Sequence, residues 1–294
     1  MSAVQNLLTI LDLETIESNW LRGRSPTVGW QRIYGGLVVS QALVAAIRSV
    51  DPAFTAHSLH SYFILPGDPA LPIDYHIENL RDGRSFATRR VVAKQSGAAI
   101  FALSCSFHVH EPGYDHQVAM PVVPMPETLM AEKDAVATFK DKLPEGVQKY
   151  FLRDRPIELR PTSLKRYMGV KPTEAERLNP TQYVWFRATE KLPDDPAIHL
   201  AMLTYASDMT LLDTAMVAHG KSYFNPDMQV ASLDHAMWFH RPFRADEWLL
   251  YAQDSPSSSG ALGLSRGLVF TKGGVLVASV SQEGLIRPRT DRRA

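Results

Sequence analysis

Two long segments of the chain, at about 36–49 and about 197–217, are apolar on nearly every side of a helix. A helix without a polar face is one that its surroundings bury, so each segment predicts a helix enclosed by other elements. Segments typical of strands follow each helix, at 56–65, at 88–109 with a turn near Ser96-Gly97, at 230–240, and at 261–287 with a turn near Gly273-Gly274. A buried helix followed by antiparallel strands predicts the α+β class, with a sheet wrapped around each helix.

The two halves of the chain are similar to each other. A shift of 176 residues places Phe63 on Phe239, and a shift of 177 places Ser104 on Ser281. A single insertion in a loop accounts for the difference of one. The matching order along the two halves predicts a tandem duplication.

Proline marks the boundary between the repeats, because seven of the 20 prolines lie between 111 and 161. We predict a linker there, with a short polar helix near 127–142. The predicted organisation is an N-terminal repeat over 1–110, a linker over 111–160 and a C-terminal repeat over 161–294.

Composition and charge are those of an ordinary globular protein. The 294 residues are 45% hydrophobic and 21% charged, and 31 basic residues balance 31 acidic ones. A disordered chain is therefore excluded, and without a basic excess we expect no nucleic-acid partner. The N-terminal segment lacks the pattern of a signal peptide, and His199, Asp208 and Asp213 interrupt the longest apolar segment, so we expect no membrane span.

The chain has a single cysteine, Cys105. One thiol can form neither an intramolecular disulfide nor a cysteine-rich zinc site, which favours a reducing compartment, and we expect the protein in the cytoplasm. His108 and His110 share a predicted strand face without a third ligand, so we predict no metal site. Glycine-rich phosphate-binding loops are also missing, so nucleotide phosphates would have to be bound in another way.

Asp208 and Gln282 are polar residues where apolar ones are expected. Asp208 lies in the middle of the second predicted helix, where a carboxylate is costly unless it is paired and where burial raises its pKa. Gln282 shares a predicted strand face with Leu276, Ala278 and Val280, and a buried amide needs partners. Each has a plainer interpretation, as a solvated residue for Asp208 and as a structural hydrogen-bonding side chain for Gln282.

Ser232 is a third candidate, and strand alternation predicts that it shares a face with Asp234, Ala236 and Trp238. A lone serine in a strand is usually only a small residue. Histidines also cluster around this strand and its counterpart in the first half: His57, His60, His235 and His240. One of them could serve as a base, although histidines near strand ends are more often ordinary hydrogen-bonding residues.

The duplication strengthens all three candidates. Cys105 occupies the place of Gln282, Ala56 occupies the place of Ser232, and the segment 36–49 contains no acidic residue. The second half is thus polar at each place where the first is apolar or small. We therefore predict an active site in the C-terminal repeat and a degenerate N-terminal repeat.

These residues belong to stretches that resemble the acyl-CoA thioesterase II family along nearly the whole chain. The stretches are NLLTILDLETIE at 6–17, YGGLVVSQAL at 34–43, HSLHSYFILPGD at 57–68, LRDGRSFATRRV at 80–91, YASD at 205–208, SLDHAMWFHRPF at 232–243 and SQEGLIR at 281–287. The resemblance implies a double hotdog fold, which agrees with the duplicated pattern. It also implies hydrolysis of fatty acyl-CoA to free fatty acid and CoA.

The resemblance further implies that Asp208, Ser232 and Gln282 are the catalytic residues, with no metal or cofactor. Asp208 would accept a proton from water, and the other two would hold that water. Ser232 stands where many family members look to have threonine, and the hydroxyl is kept. The backbone of Gly35 and Gly36 at the start of the first helix would bind the oxyanion.

The substrate also needs basic residues for its CoA phosphates, and Arg84 is the candidate, with Arg81 and Arg287 as alternatives. We expect a homo-oligomer, because hotdog proteins often associate. Two other functions stay open at this point. One is a hotdog hydratase or dehydratase, and the other is a non-catalytic acyl-CoA binding protein.

Overall fold

The structure is a computed structural model that describes residues 1–26, 31–139, 148, 152–165, 170–222, 225 and 227–289. The helices are α1 (Ala3–Leu11), α2 (Gly35–Ile47), α3 (Glu132–Thr138), α4 (Glu174–Leu178), α5 (Pro196–Ser207) and α6 (Leu211–Val217), with a 3₁₀ turn at Pro126–Thr128. None of the helices in this part of the chain is long and apolar enough to cross a membrane.

The strands of the N-terminal half are β1 (Glu14–Glu17), β2 (Trp20–Gly23), β3 (Phe54–Phe63), β4 (Ile73–Asp82), β5 (Phe86–Gln95) and β6 (Ala98–Val109). Those of the C-terminal half are β7 (Ile157–Pro161), β8 (Thr181–Ala188), β9 (Met228–Ser232), β10 (Asp234–Phe239), β11 (Leu249–Ser259), β12 (Leu262–Thr271) and β13 (Leu276–Pro288). The four predicted strand segments are confirmed, and β1, β2, β4, β7, β8 and β11 are additional.

All of these strands join one antiparallel sheet that contains both halves. The strand order is β1-β2-β4-β5-β6-β3-β10-β13-β12-β11-β8-β7, and β9 pairs with β13. The halves meet where β3 pairs with β10, with Met237 opposite Leu59. Helix α2 packs against β3 to β6 and against α5, so the two buried helices lie side by side under the sheet. The predicted α+β class is confirmed.

Helix α2 agrees with the sequence pattern, and Val39, Ala42 and Leu43 are fully enclosed. The prediction of one helix over 197–217 is wrong, because α5 ends at Ser207 and α6 begins at Leu211. A buried polar network stabilises the interruption. Gln253 Nε2 donates to Thr210 Oγ1 over 2.6 Å, and Thr214 Oγ1 donates to Gln253 Oε1 over 2.8 Å.

A β-bulge separates β9 from β10. Ser232 pairs with Gly284, but Ala236 pairs with Ser281, so one strand contains an extra residue. This residue is Leu233, whose N–H donates to Glu283 O over 2.9 Å. A bulge reverses the alternation of side chains. The prediction that Ser232 shares a face with Asp234, Ala236 and Trp238 is therefore wrong, and Ser232 lies on the inward face with Gln282.

The same irregularity occurs in the first half. Ala56 pairs with Phe107, whereas Ser58 pairs with Ser106, so His57 is the extra residue there. The shift of 176 residues that relates the halves places His57 on Leu233. Bulges at matching positions are what a duplicated structural unit would have.

The segment predicted as a linker packs along the second half. Trp185 Nε1 donates to Pro124 O over 2.9 Å, and the Gln117 side chain accepts from Leu276 N over 3.0 Å. The predicted helix near 127–142 corresponds to α3, while residues 140–142 lie outside the described residues. Strand β7 begins at Ile157, a few residues before the predicted start of the C-terminal repeat.

Candidate active site

Asp208 occupies the C-cap position of α5, at the interruption between α5 and α6. Its carboxylate is directed at the start of α2 and at β13. Its Oδ1 accepts a hydrogen bond from Gln282 Nε2 over 2.7 Å, and its Oδ2 accepts one from Gly36 N over 2.8 Å. The residue is only partly exposed to solvent, and protein atoms surround its carboxylate. Burial raises the pKa of Asp208 to about 6, although both hydrogen bonds act in the opposite direction.

Gln282 links the other two candidates. It lies on the inward face of β13, as alternation predicts, and its side chain is fully buried. Nε2 donates one hydrogen to Asp208 and the other to Ser232 Oγ, also over 2.7 Å. The three residues that the sequence singles out thus form one hydrogen-bonded group.

The first repeat completes this group through the start of α2. A Cβ at Gly36 would lie 2.5 Å from Tyr205 O, and one at Gly35 would lie 2.8 Å from Asp208 Oδ2. Only glycine allows the helix to approach so closely. Tyr34 Oη donates to Tyr205 O over 2.8 Å and ties the end of α5 to the start of α2. The candidate site therefore contains both predicted glycines and spans both halves of the chain.

Arg84 is not part of this group. It lies exposed in the turn between β4 and β5, five residues before Arg89, whose Nε donates to Ser49 Oγ over 3.0 Å just after the C-terminal end of α2. The 13 residues of α2 span about 20 Å, and Gly36 is at the other end. The assignment of Arg84 to the CoA phosphates, which are remote from the thioester in the substrate, stays a prediction.

His235 is a neighbour of the site that the sequence did not distinguish from three other histidines. It is fully buried on β10, and its Nε2 lies 2.8 Å from Ser207 Oγ. Burial lowers the pKa of His235 to about 4, against a raising contribution from Gln282, so the imidazole is neutral at neutral pH. The signal that could have identified it is Leu59, the apolar residue at its place in the first half.

The remaining histidines have partners elsewhere. His57 Nε2 lies 2.8 Å from Ser106 Oγ, His240 Nε2 lies 2.8 Å from Ser279 Oγ, and His60 contacts the Trp238 ring. Within the described ranges, no three histidine, cysteine, aspartate or glutamate side chains are grouped so that they could hold a metal ion.

Both halves of the chain match known family profiles. Residues 147–285 match a profile described as acyl-CoA thioesterase, and residues 21–108 match one described as acyl-CoA thioesterase N-terminal domain. Acyl-CoA thioesterase 2 of Haemophilus influenzae is 38% identical over 284 residues, which cover 97% of this chain and 98% of that protein. The chain belongs to the acyl-CoA thioesterase II family.

This thioesterase is also similar to solved structures. Acyl-CoA thioesterase II TesB2 from Mycobacterium marinum has a TM-score of 0.79 and 43% identity, covering 97% of this chain and 99% of that one. A hot dog fold protein from Alicyclobacillus acidocaldarius has a TM-score of 0.76 at 16% identity over 96% and 98% of the two chains, which is evidence of fold alone. The expected double hotdog fold is confirmed.

Replacing Cys105 with alanine is expected to lower the free energy of unfolding by about 1 kcal/mol and to leave turnover nearly unchanged. The thiol is fully buried in the first half, and burial raises its pKa, so it is not a reactive thiolate. Denaturant titration and a turnover assay measure the two effects. A folded Cys105→Ala protein without activity would assign catalysis to the N-terminal half instead.

Proposed function

We propose that this thioesterase hydrolyses fatty acyl-CoA to free fatty acid and CoA through a water that Asp208 activates and that Ser232 and Gln282 position. The observation that carries the proposal is the shared amide of Gln282, which donates to both Asp208 Oδ1 and Ser232 Oγ over 2.7 Å. A carboxylate, a hydroxyl and an amide in mutual contact can orient one water molecule for attack.

Asp208 is the general base in this mechanism. With a pKa of about 6 it is ionised at neutral pH, and it is more basic than an exposed aspartate. The water transfers a proton to Asp208 while its oxygen bonds to the thioester carbonyl carbon. The tetrahedral intermediate then breaks its C–S bond, and the protonated Asp208 returns the proton to the departing CoA sulfur.

Ser232 and Gln282 have different tasks. Gln282 uses both amide hydrogens on Asp208 and Ser232, so it orients these two groups. Ser232 Oγ accepts one of those hydrogens, which leaves its own O–H to be donated to the water. Threonine would supply the same hydroxyl at this position.

The N-terminal end of α2 supports the oxyanion. Gly36 N donates to Asp208, so its N–H holds the base, and the neighbouring N–H of Gly35 is the one that we assign to the carbonyl oxygen. The positive end of the helix dipole favours the charge that develops there.

Three further expectations accompany this function. We propose a cytoplasmic location because the single cysteine is buried and unpaired. We propose a homo-oligomer because hotdog proteins often associate. We propose no role in nucleic-acid binding because basic and acidic residues are balanced. Cell fractionation and light scattering on the purified protein measure the first two.

A free-thiol assay with acyl-CoA substrates of increasing chain length tests the function. Hydrolysis releases one CoA thiol for each fatty acid formed, and Asp208→Asn is the matched negative control. Conversion of an enoyl-CoA without thiol release would favour a hydratase instead. Tight binding of acyl-CoA without turnover would favour a binding protein.

The pH profile of kcat/KM is expected to rise through an apparent pKa of about 6 and then level off. Asp208 must be ionised to accept the proton, and its pKa is the one that burial raises to about 6. Initial rates between pH 4.5 and 9 measure the profile. A rate that falls as the pH increases through this range would contradict a carboxylate base.

A further inference from the structure

Two buried polar atoms beside the candidate site have no hydrogen-bond partner among the described residues. They are Gln282 Oε1 and His235 Nδ1. Ala236 of β10 pairs with Ser281 of β13. The next residues along the two antiparallel strands, His235 and Gln282, therefore lie across from each other, and their side chains are neighbours. A buried amide oxygen and a buried ring nitrogen are both costly to leave unpaired.

The contacts of Gln282 determine which way its amide points. Nε2 donates to the carboxylate of Asp208 and to the hydroxyl of Ser232. A carboxylate can only accept, so the opposite orientation would bring the amide oxygen against a carboxylate oxygen. Oε1 must therefore point away from Asp208, on the side where His235 lies.

This orientation selects the tautomer of His235. An amide oxygen can only accept, so Nδ1 must carry a hydrogen if these two unpaired atoms are to satisfy each other. Nε2 is then the acceptor, and the hydroxyl of Ser207, 2.8 Å away, is its donor. The alternative tautomer would let Ser207 donate to Thr204 O over 2.9 Å, but Gln282 Oε1 and His235 Nδ1 would then both be buried acceptors without a donor.

The first half of the chain provides an internal comparison. Leu59 stands at the place of His235 and Cys105 at the place of Gln282, and these two residues pair directly across β3 and β6. Both are fully buried. The imidazole and the amide thus occur together in the half that contains Asp208, and both are replaced in the half that lacks a carboxylate there.

We propose that His235 is a positioning residue: its Nδ1–H donates to Gln282 Oε1 and holds the amide with Nε2 directed at Asp208 and Ser232. This inference rests on the proposed function of the site. Ser207 donates to His235, His235 to Gln282, and Gln282 to the base and to the serine that holds the water.

Loss of the imidazole would affect Asp208 through the amide. The hydrogen bond from Gln282 lowers the pKa of Asp208, so an amide free to rotate would let that pKa rise above about 6. The other titratable groups that face the site do not change charge in the pH range in which Asp208 titrates. His235 is neutral above about pH 4, and burial raises the pKa of Tyr251 well above its usual range.

Three variants separate positioning from packing. His235→Leu copies Leu59 and removes the donor, whereas His235→Asn keeps an N–H where Nδ1 was. Val280→Ala changes only packing on the inward face of β13, two residues before Gln282. We expect His235→Leu to lower kcat at least tenfold with little change in KM, and to move the acidic limb of the kcat/KM profile to higher pH.

The other variants have distinct expected results. His235→Asn should restore most of kcat and return the acidic limb to its original pH, and Val280→Ala should retain both. Gln282→Ala should show the same shift of the limb, and adding His235→Leu to it should cause little further loss, because both changes remove one interaction. Wild-type kcat and an unmoved limb in His235→Leu would overturn the proposal, as would equal impairment of the Leu and Asn variants.

The tautomer can be measured without any variant that might fail to fold. ¹⁵N spectra of the histidine-labelled protein, with His235→Asn for assignment, should show His235 protonated at Nδ1 and not at Nε2. Protonation at Nε2 overturns the proposal. If the wild type releases no CoA, the proposed function fails, while the tautomer still decides whether His235 holds Gln282.

Discussion

Replacing Asp208 with asparagine is expected to lower kcat by on the order of 100-fold or more, because the change removes the general base and keeps the shape of the side chain. Steady-state kinetics with an acyl-CoA substrate measure the loss. Asp234→Asn is the matched control, since this second carboxylate lies beyond the bulge on the opposite face of the strand. Full turnover in Asp208→Asn would transfer the role of base to another group.

The stabilities of the wild type and Asp208→Asn provide an independent check on the raised pKa of Asp208. The folded-state pKa of Asp208 is raised from 3.8 to about 6, so the ionised form is disfavoured in the folded protein. Ionisation therefore lowers the free energy of unfolding of the wild type as the pH increases from about 4 to about 6, by on the order of 3 kcal/mol. Asp208→Asn lacks this loss, so denaturant titrations at pH 4 and pH 7 should show a smaller decrease in the variant.

Replacing either Ser232 or Gln282 with alanine is expected to lower kcat by on the order of ten- to a thousand-fold, about 1.4 to 4 kcal/mol, with a smaller effect on KM. Ser232 orients the water directly, and Gln282 orients it through Asp208 and Ser232, so each loss acts mainly on the transition state. The double variant should lose much less than the product of the single losses, because the two side chains hydrogen-bond to each other and serve the same water.

Two controls make the comparison specific. Ser232→Thr keeps the hydroxyl and should keep turnover. Ser281→Ala removes a hydroxyl beside Gln282 on the opposite face of β13 and should leave kcat nearly unchanged. Losses in the double variant that equal the product of the single losses would mean that Ser232 and Gln282 act on separate steps.

Local sequence patterns were sufficient to predict the class of the fold and the identity of the three candidate residues. Apolar positions on every side of 36–49 indicate a buried helix, because no polar face is left for solvent. Alternation along β13 is a local property of an extended chain, so it predicted that Gln282 faces the apolar interior. Comparison of the two halves identified Cys105 and Ala56 at the places of Gln282 and Ser232 without any structure.

Tertiary structure decided how these residues meet. A helix that is apolar all round contains no local signal for the interruption after Ser207, which the hydrogen bonds of Gln253 stabilise from another strand. Alternation assumes an uninterrupted strand, so the bulge at Leu233 turned Ser232 to the other face. Gly36 reaches Asp208 from 172 positions away only because β3 and β10 join the halves and place their buried helices side by side. Contacts between distant segments depend on packing in three dimensions, which no local pattern in the chain encodes.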